Sequence, residues 1–347
     1  MKRNDLFDDI KQIYDRLEDE LSKFIFGRRM LYNMTGDCRY IHDIISTTDE
    51  GKEFIQRLSA LNSREIFIFG AGMGGADIVT SFPNIKWTGF IDNKPNNNNF
   101  CGIPCIGFNE FVDAHRSASV VISSKKYHNE MYDQLQAFGI GENQIIDAGY
   151  FFESLDKKDY LDLPELAFTE QEAIVDCGGF DGLSLLNCIR FLKGIYDAAY
   201  LFEPESECMK NCCKNLSDFS KVNFIEKGVW SESGFLKFDN GGGCIRITDK
   251  DPDSLNLCLP VTSLDEELGE RAVTYIKMDI EGAEIAALMG AENIIRKQKP
   301  KLGIRIYHKK DDLWCIPKLI LQYNPEYKLY IRHYSLTVYD TILFAVN

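Results

Sequence analysis

The sequence predicts an α/β protein built as a helical lead-in, a small strand–helix unit, and a larger doubly wound sheet whose last strand is antiparallel. Three observations predict it. From residue 172 onward short apolar runs alternate with amphipathic stretches. Two glycine-rich turns, GAGMGG at 70–75 and DCGGFDG at 176–182, each follow an apolar run. The last two apolar runs, YKLYIR and TILFAV, have little helix between them. Repeated strand–helix units imply a parallel sheet with crossover helices, and a short final connection implies an antiparallel pair at one end.

The elements follow in order. Leu6, Ile10, Ile13, Leu17, Leu21 and Phe24 recur every three or four residues and predict one amphipathic helix. A second helical pattern surrounds Phe54, Leu58 and Leu61. This lead-in, residues 1–62, carries no visible chemistry and is suited to packing on the next domain or on a second subunit, which makes a homo-oligomer one expectation. Residues 63–150 form a small Rossmann-like unit: the strand EIFIF, the turn Gly70-x-Gly72-x-x-Gly75, a helix, and WTGFID ending in Asp92 at the dinucleotide-fingerprint spacing. Asn96 to Asn99 read as a polar loop, and GIPCIG, SVVIS and QIID as further strands. Residues 151–170 are acidic and mixed, and read as the connector. Beyond them, strands are expected at AIVD, AYLFE, VNFIE, TYIKMDI, KLGIRIY, YKLYIR and TILFAV, with GFLKFD, CIRIT and LPVTSL as an inserted hairpin and strand.

Composition bounds the function. A chain of 347 residues has room for two cores, and 45% apolar with 27% charged residues is ordinary globular material. A net charge of −14 argues against nucleic-acid or anionic-membrane partners, which need a basic face. The N-terminal segment shows no apolar signal region, and runs such as AYLF are too short to span a bilayer. Eleven cysteines without a C-x-x-C pair read as reduced thiols in a cytoplasmic protein.

The two glycine turns differ in charge. A turn built for pyrophosphate offers N–H groups and avoids negative side chains, and GAGMGG meets no acid until Asp77. The second turn sets Asp176 at a strand tip and Asp181 in the loop, so it favours a cationic ligand without phosphate; S-adenosylmethionine fits that description. Gly178, Gly179 and Gly182 let the backbone approach such a ligand. Glu203 ends the next strand, where a carboxylate can accept both ribose hydroxyls, and Pro204 keeps it extended. Lys227 and Trp230 follow the third strand, where an adenine would lie.

The blocks IVDCGGFDGLSL, YLFEPE, EKGVWSESG, YIKMDIEGAEIAALMGA, KPKLGIRIYHKKDDLWCIPKLI and LYIRHYS occur in this order. Together they resemble the FkbM family of S-adenosylmethionine-dependent methyltransferases, over about residues 168 to 347. The resemblance implies a class I methyltransferase sheet and methylation of hydroxyls on sugars, glycans or other small molecules. Residues 65–149 are similar to a small Rossmann-like unit that precedes some sugar-modifying enzymes.

Methyl transfer to an alcohol needs alignment of the acceptor oxygen and a base or a metal to help remove its proton. Asp279 ends the strand TYIKMD, and Glu281 and Glu284 follow at a helix start, where carboxylates also favour the macrodipole. His308 follows KLGIRIY and is the candidate general base. His333 follows LYIR at the same edge. Asp279, Glu281 and His308 can equally hold Mg²⁺, and their spacing leaves base and metal both open. Two competing readings stand beside this one: a nicotinamide-dependent oxidoreductase or epimerase using GAGMGG, and a non-catalytic nucleotide-binding protein.

Overall fold

The computed structural model describes residues 3–61, 65–95, 97–156, 160–239, 246–247 and 256–347. Four helices come first: α1 (Arg3–Arg16), α2 (Glu20–Thr35), α3 (Arg39–Ile45) and α4 (Asp49–Ser59). Then follow β1 (Ile66–Phe69), α5 (Met73–Ser81), β2 (Gly89–Asp92), β3 (Asn99–Phe100), β4 (Ile103–Gly107), α6 (Phe108–Ala114), β5 (Ser119–Ile122), α7 (His128–Ala137), β6 (Ile145–Asp147) and α8 (Ala148–Asp156). The second series is β7 (Ala173–Cys177), α9 (Leu183–Phe191), β8 (Ala198–Phe202), α10 (Ser206–Asn215), β9 (Val222–Ile225), β10 (Gly228–Val229), β11 (Gly234–Asp239), β12 (Arg246–Ile247), β13 (Asn256–Thr262) and α11 (Leu264–Leu268). It ends with β14 (Tyr275–Met278), α12 (Glu284–Met289), α13 (Glu292–Gln298), β15 (Lys301–Arg305), α14 (Asp312–Tyr323), β16 (Lys328–His333) and β17 (Thr341–Val346).

These elements divide into two compact units, one of Met1–Phe26, Tyr160–Arg332 and Asp340–Asn347, the other of Gly27–Asp159 and His333–Tyr339. The helical lead-in, one region in the sequence reading, is therefore split. The expected first helix is also broken, because Leu17 forms a parallel bridge with Leu329 and Glu18 N–H bonds the Leu329 carbonyl at 3.0 Å. Asp19 then accepts from Ser22 N–H at 2.6 Å and starts α2. The apolar period continues across the break, so periodicity alone gave no sign of it. Two further connections were missed by the sequence reading: α8 runs into the expected connector, and β3 ends the expected Asn loop.

The unit around β1 has a six-stranded sheet in the order β3-β4-β2-β1-β5-β6, parallel except for β3 against β4. Its strands β1 and β5 are buried at every residue, as a sheet covered on both faces requires. Phe67, Phe69, Phe111, Ile122 and Leu135 form its core. The Asp92 carboxylate accepts from the N–H groups of Ala71 and Lys94 at 3.2 and 2.8 Å, so it holds its own glycine turn.

The other unit has a seven-stranded sheet in the order β16-β17-β15-β14-β7-β8-β9, with β17 antiparallel to β15 as the sequence predicts. Strand order reverses between β7 and β14, which puts the switch point there. The insertion forms a second sheet, β10-β13-β11-β12; of CIRIT only Arg246 and Ile247 are among the described residues. The expected helix over IAALMGAENIIRK is two, α12 and α13, parted at Gly290 and Ala291.

At the amino-terminal edge of this sheet Glu172, 1% exposed, ties three strands together. It accepts from Thr169 N–H at 2.8 Å, from the Thr274 hydroxyl, and from Lys301 Nζ at 2.5 Å. Burial alone would raise its carboxyl, but the Lys301 and Thr274 bonds outweigh burial and hold it below the ordinary 4.5. A carboxyl lowered in the fold stabilises it above the unfolded value and loses that contribution as pH falls through the folded value. Glu172→Gln is therefore expected to cost about 1.5–3 kcal/mol at neutral pH, measured by urea unfolding. The gap from wild type should close in acid below 4.5; an unchanged gap there would refute this account.

Candidate active site

The predicted site residues of this unit lie at or just after strand ends, Asp176 within β7 and Trp230 after the inserted strand β10. Between β7 and α9 the chain reverses tightly. Gly178 sits at φ +87°, and a Cβ there would lie 2.0 Å from the Asp279 carbonyl oxygen, so only glycine lets the turn touch the tip of β14. Gly178 and Gly179 N–H groups both donate to the Phe202 carbonyl at 3.0 Å, and Phe180 N–H donates to Glu203 Oε2 at 2.9 Å. Leu183 N–H is taken by Asp181 Oδ1 at 3.0 Å. The amides that would cradle a phosphate are thus already engaged within the protein. From α10, Cys212 Sγ donates to the Phe180 carbonyl and Asn215 Nδ2 to the Asp181 carbonyl, at 3.3 and 2.9 Å, which pins the loop.

The charges are arranged differently from the sequence reading. Asp176 is 1% exposed, and its charge is matched by Lys277, whose Nζ lies 2.8 Å from Oδ1; the two residues are directly paired across β7 and β14. Oδ2 accepts from the Ser184 hydroxyl at 2.9 Å. Lys277 Nζ also donates to the Gly178 carbonyl at 2.8 Å. Asp176 is therefore a buried strut under the turn, while Asp181 lies in the loop and Glu203 meets it from the tip of β8. Burial pushes the Glu203 carboxyl above its ordinary value, against the two N–H groups of Phe180 and Glu205 that it accepts. Lys227 pairs with Glu267 at 2.7 Å, and Trp230 is half-buried with its backbone N–H on the Thr262 carbonyl.

Beyond β14 the turn to α12 passes through left-handed backbone at Glu281 (φ +56°) and Gly282 (φ +95°). This brings three acids to one side chain. His308 Nδ1 lies 3.0 Å from Glu284 Oε1, while Nε2 faces Asp279 Oδ1 at 3.6 Å and Glu281 Oε2 at 3.7 Å. Burial would lower the His308 pKa, but Glu284, Asp279 and Glu281 together raise it above 6.5. Burial would likewise raise Asp279, yet the charges of Arg305, Lys277 and His308 hold it below 3.8. Arg305 Nε is 3.4 Å from Asp279 Oδ2, bonds Tyr160 Oη at 2.7 Å, and pairs with Asp340.

Asp279, Glu281 and His308 thus come together as the sequence predicts, and Glu284 joins them. His333 ends β16, the strand at the opposite edge of the sheet from β9. Sequence reasoning missed Lys277 and Arg305. The signal was present: a strand covered on both faces should be apolar throughout, and TYIKMD and LGIRIY each hold one cation that needs a buried partner.

A parallel sheet with one antiparallel strand next to its edge, a phosphate-excluding glycine turn and an acid after the second strand define the class I S-adenosylmethionine-dependent methyltransferases. Residues 176–334 match the family model of the methyltransferase FkbM domain, which supports an S-adenosylmethionine-dependent methyltransferase. The chain is similar to the methyltransferase FkbM of Methylobacillus flagellatus KT, at 20% identity and a TM-score of 0.51 over 90% of this chain and 99% of that one. An rRNA methylase of Streptococcus thermophilus gives 16% identity and 0.34, over 56% of this chain and 92% of that one. Aeropyrum pernix fibrillarin with bound S-adenosyl-L-methionine gives 12% and 0.36, over 55% and 72%. A comparison with curated proteins finds no match. The family match bears on this unit, whereas the nicotinamide reading concerns the GAGMGG turn of the other unit. No helix among the described residues is long and apolar enough to cross a membrane.

Proposed function

We propose that the protein transfers the methyl group of S-adenosylmethionine to a hydroxyl of a sugar, glycan or other small molecule. The observation that carries the reading is the pairing, at one sheet edge, of a Glu203-backed glycine turn with the Asp279–Glu281–His308 cluster. Glu203 keeps acceptor capacity on both oxygens and would take the ribose hydroxyls, with Asp181 toward the cationic end of the donor. The acceptor oxygen attacks the sulfonium methyl carbon in line: a C–O bond forms, the C–S bond breaks, and neutral S-adenosylhomocysteine leaves. The hydroxyl proton is given up at the His308 cluster, where negative side chains favour its departure. Free cysteines among the described residues fit a reducing compartment, and we place the reaction in the cytoplasm.

Calorimetric titration with S-adenosylmethionine, followed by incubation of labelled donor with a panel of glycans and nucleotide sugars, tests both halves. Wild type is expected to bind one donor per chain. Glu203→Ala should weaken binding by roughly 10- to 100-fold, since it removes one or two hydrogen bonds to a charged acceptor. Unchanged affinity in that variant would remove Glu203 from the site.

A further inference from the structure

We infer that His308 and its facing carboxylates form a divalent-cation site, with Nε2 of His308 and Oδ1 of Asp279 as ligands, Glu281 beside them, and Glu284 at Nδ1 orienting the ring. The inference deepens the methyltransferase reading and rests on it only for what the ion would do.

The geometry is that of an ion's ligands, not of hydrogen bonds. Nε2 stands 3.6 Å from Asp279 Oδ1 and 3.7 Å from Glu281 Oε2, both beyond hydrogen-bonding length. Two ligands of one ion, each at 2.0–2.2 Å, stand about 3 to 3.6 Å apart at right or tetrahedral angles. The imidazole is 6% exposed, and neither ring nitrogen nor Asp279 Oδ1 makes a hydrogen bond of good geometry, although Nδ1 has Glu284 Oε1 at 3.0 Å. A buried ring nitrogen left unbonded while aimed between two carboxylates is costly unless something sits among them. Asp279, Glu284 and His308 each offer a ligand atom within 4.8 Å of the other two, and Glu281 Oε2 stands beside this group, 3.7 Å from Nε2.

The surroundings support the assignment. Glu284 Oε1, 3.0 Å from Nδ1, supplies the carboxylate–histidine contact that fixes tautomer and ring orientation in metal sites. Arg305 takes Asp279 Oδ2 and leaves Oδ1 toward the ring. Glu281 is delivered by its left-handed backbone, a conformation a non-glycine residue adopts at a cost. One imidazole with two carboxylates suits Mn²⁺ or Zn²⁺ better than an all-oxygen Ca²⁺ site. An ion there would lower the pKa of a coordinated acceptor hydroxyl, whose proton leaves to solvent.

The test is direct binding to the full-length chain after chelator treatment: free Mn²⁺ followed by electron paramagnetic resonance, and Zn²⁺ and Mg²⁺ by calorimetry. One site per chain is expected for Mn²⁺ or Zn²⁺. His308→Ala and Asp279→Asn should each weaken it by at least about tenfold, and Glu284→Gln by about 10- to 100-fold through loss of ring orientation. No saturable binding of any of the three ions to wild type overturns the inference, as does equal binding in the folded His308→Ala and Asp279→Asn proteins. Circular dichroism identifies a variant that has not folded, and the wild-type titration then decides alone. Donor binding by the chelator-treated protein separates the two readings: if it persists while no ion binds, only the cation site fails.

Discussion

Replacing His308 with alanine is expected to lower kcat by about 10² to 10⁴ while donor affinity stays within a few-fold, because the acceptor hydroxyl loses the group that takes its proton or holds the ion that acidifies it. The split follows from position. Glu203 and the glycine turn, which would hold the donor, follow β7 and β8, whereas His308 follows β15 and meets Asp279, Glu281 and Glu284. Its removal leaves the turn intact, because none of the turn's hydrogen bonds ends on the imidazole. Transfer of a labelled methyl group to whichever acceptor the panel reveals, with donor affinity measured alongside, checks the split. Loss of donor binding together with rate would make the histidine a support of the fold instead.

Lys277→Met is expected to destabilise the unit by about 3–5 kcal/mol, because it strands a buried carboxylate. Asp176 is 1% exposed and Lys277 6%, and no solvent can replace the missing charge. The second variant is the informative one. Asp176→Asn combined with Lys277→Met removes both charges and should recover a good part of the loss, as buried pairs do when replaced together. Urea unfolding of the wild type, the two singles and the double gives the coupling. Additive losses would mean that the 2.8 Å pair contributes no specific interaction.

The doubly wound sheet was legible because short apolar runs alternate with amphipathic stretches, and several of those runs end in charged or glycine-rich tips at the candidate site. Asp279, Glu281 and His308 could be placed for the same reason: each follows a strand at one edge. The role of Asp176 could not be read. Its partner Lys277 lies about 100 residues away and becomes its neighbour only through the strand register between β7 and β14. The break after α1 was invisible for a related cause, since it depends on Leu329 at the other end of the chain. Glu281 shows the limit of local rules: a glutamate at a helix start reads as an ordinary capping preference, while its backbone is left-handed at φ +56°.

The interleaving of the units along the chain bears on how the protein is made. Helix α1 finds its partners late: Lys318 for Asp9, and the Pro325 and Tyr327 carbonyls for Arg16. On the ribosome these residues emerge after the whole of the other unit, which in turn lacks His333–Tyr339 until nearly the last. The nascent chain must carry an unsatisfied leading helix through most of translation. Both units are completed only as the final strands appear.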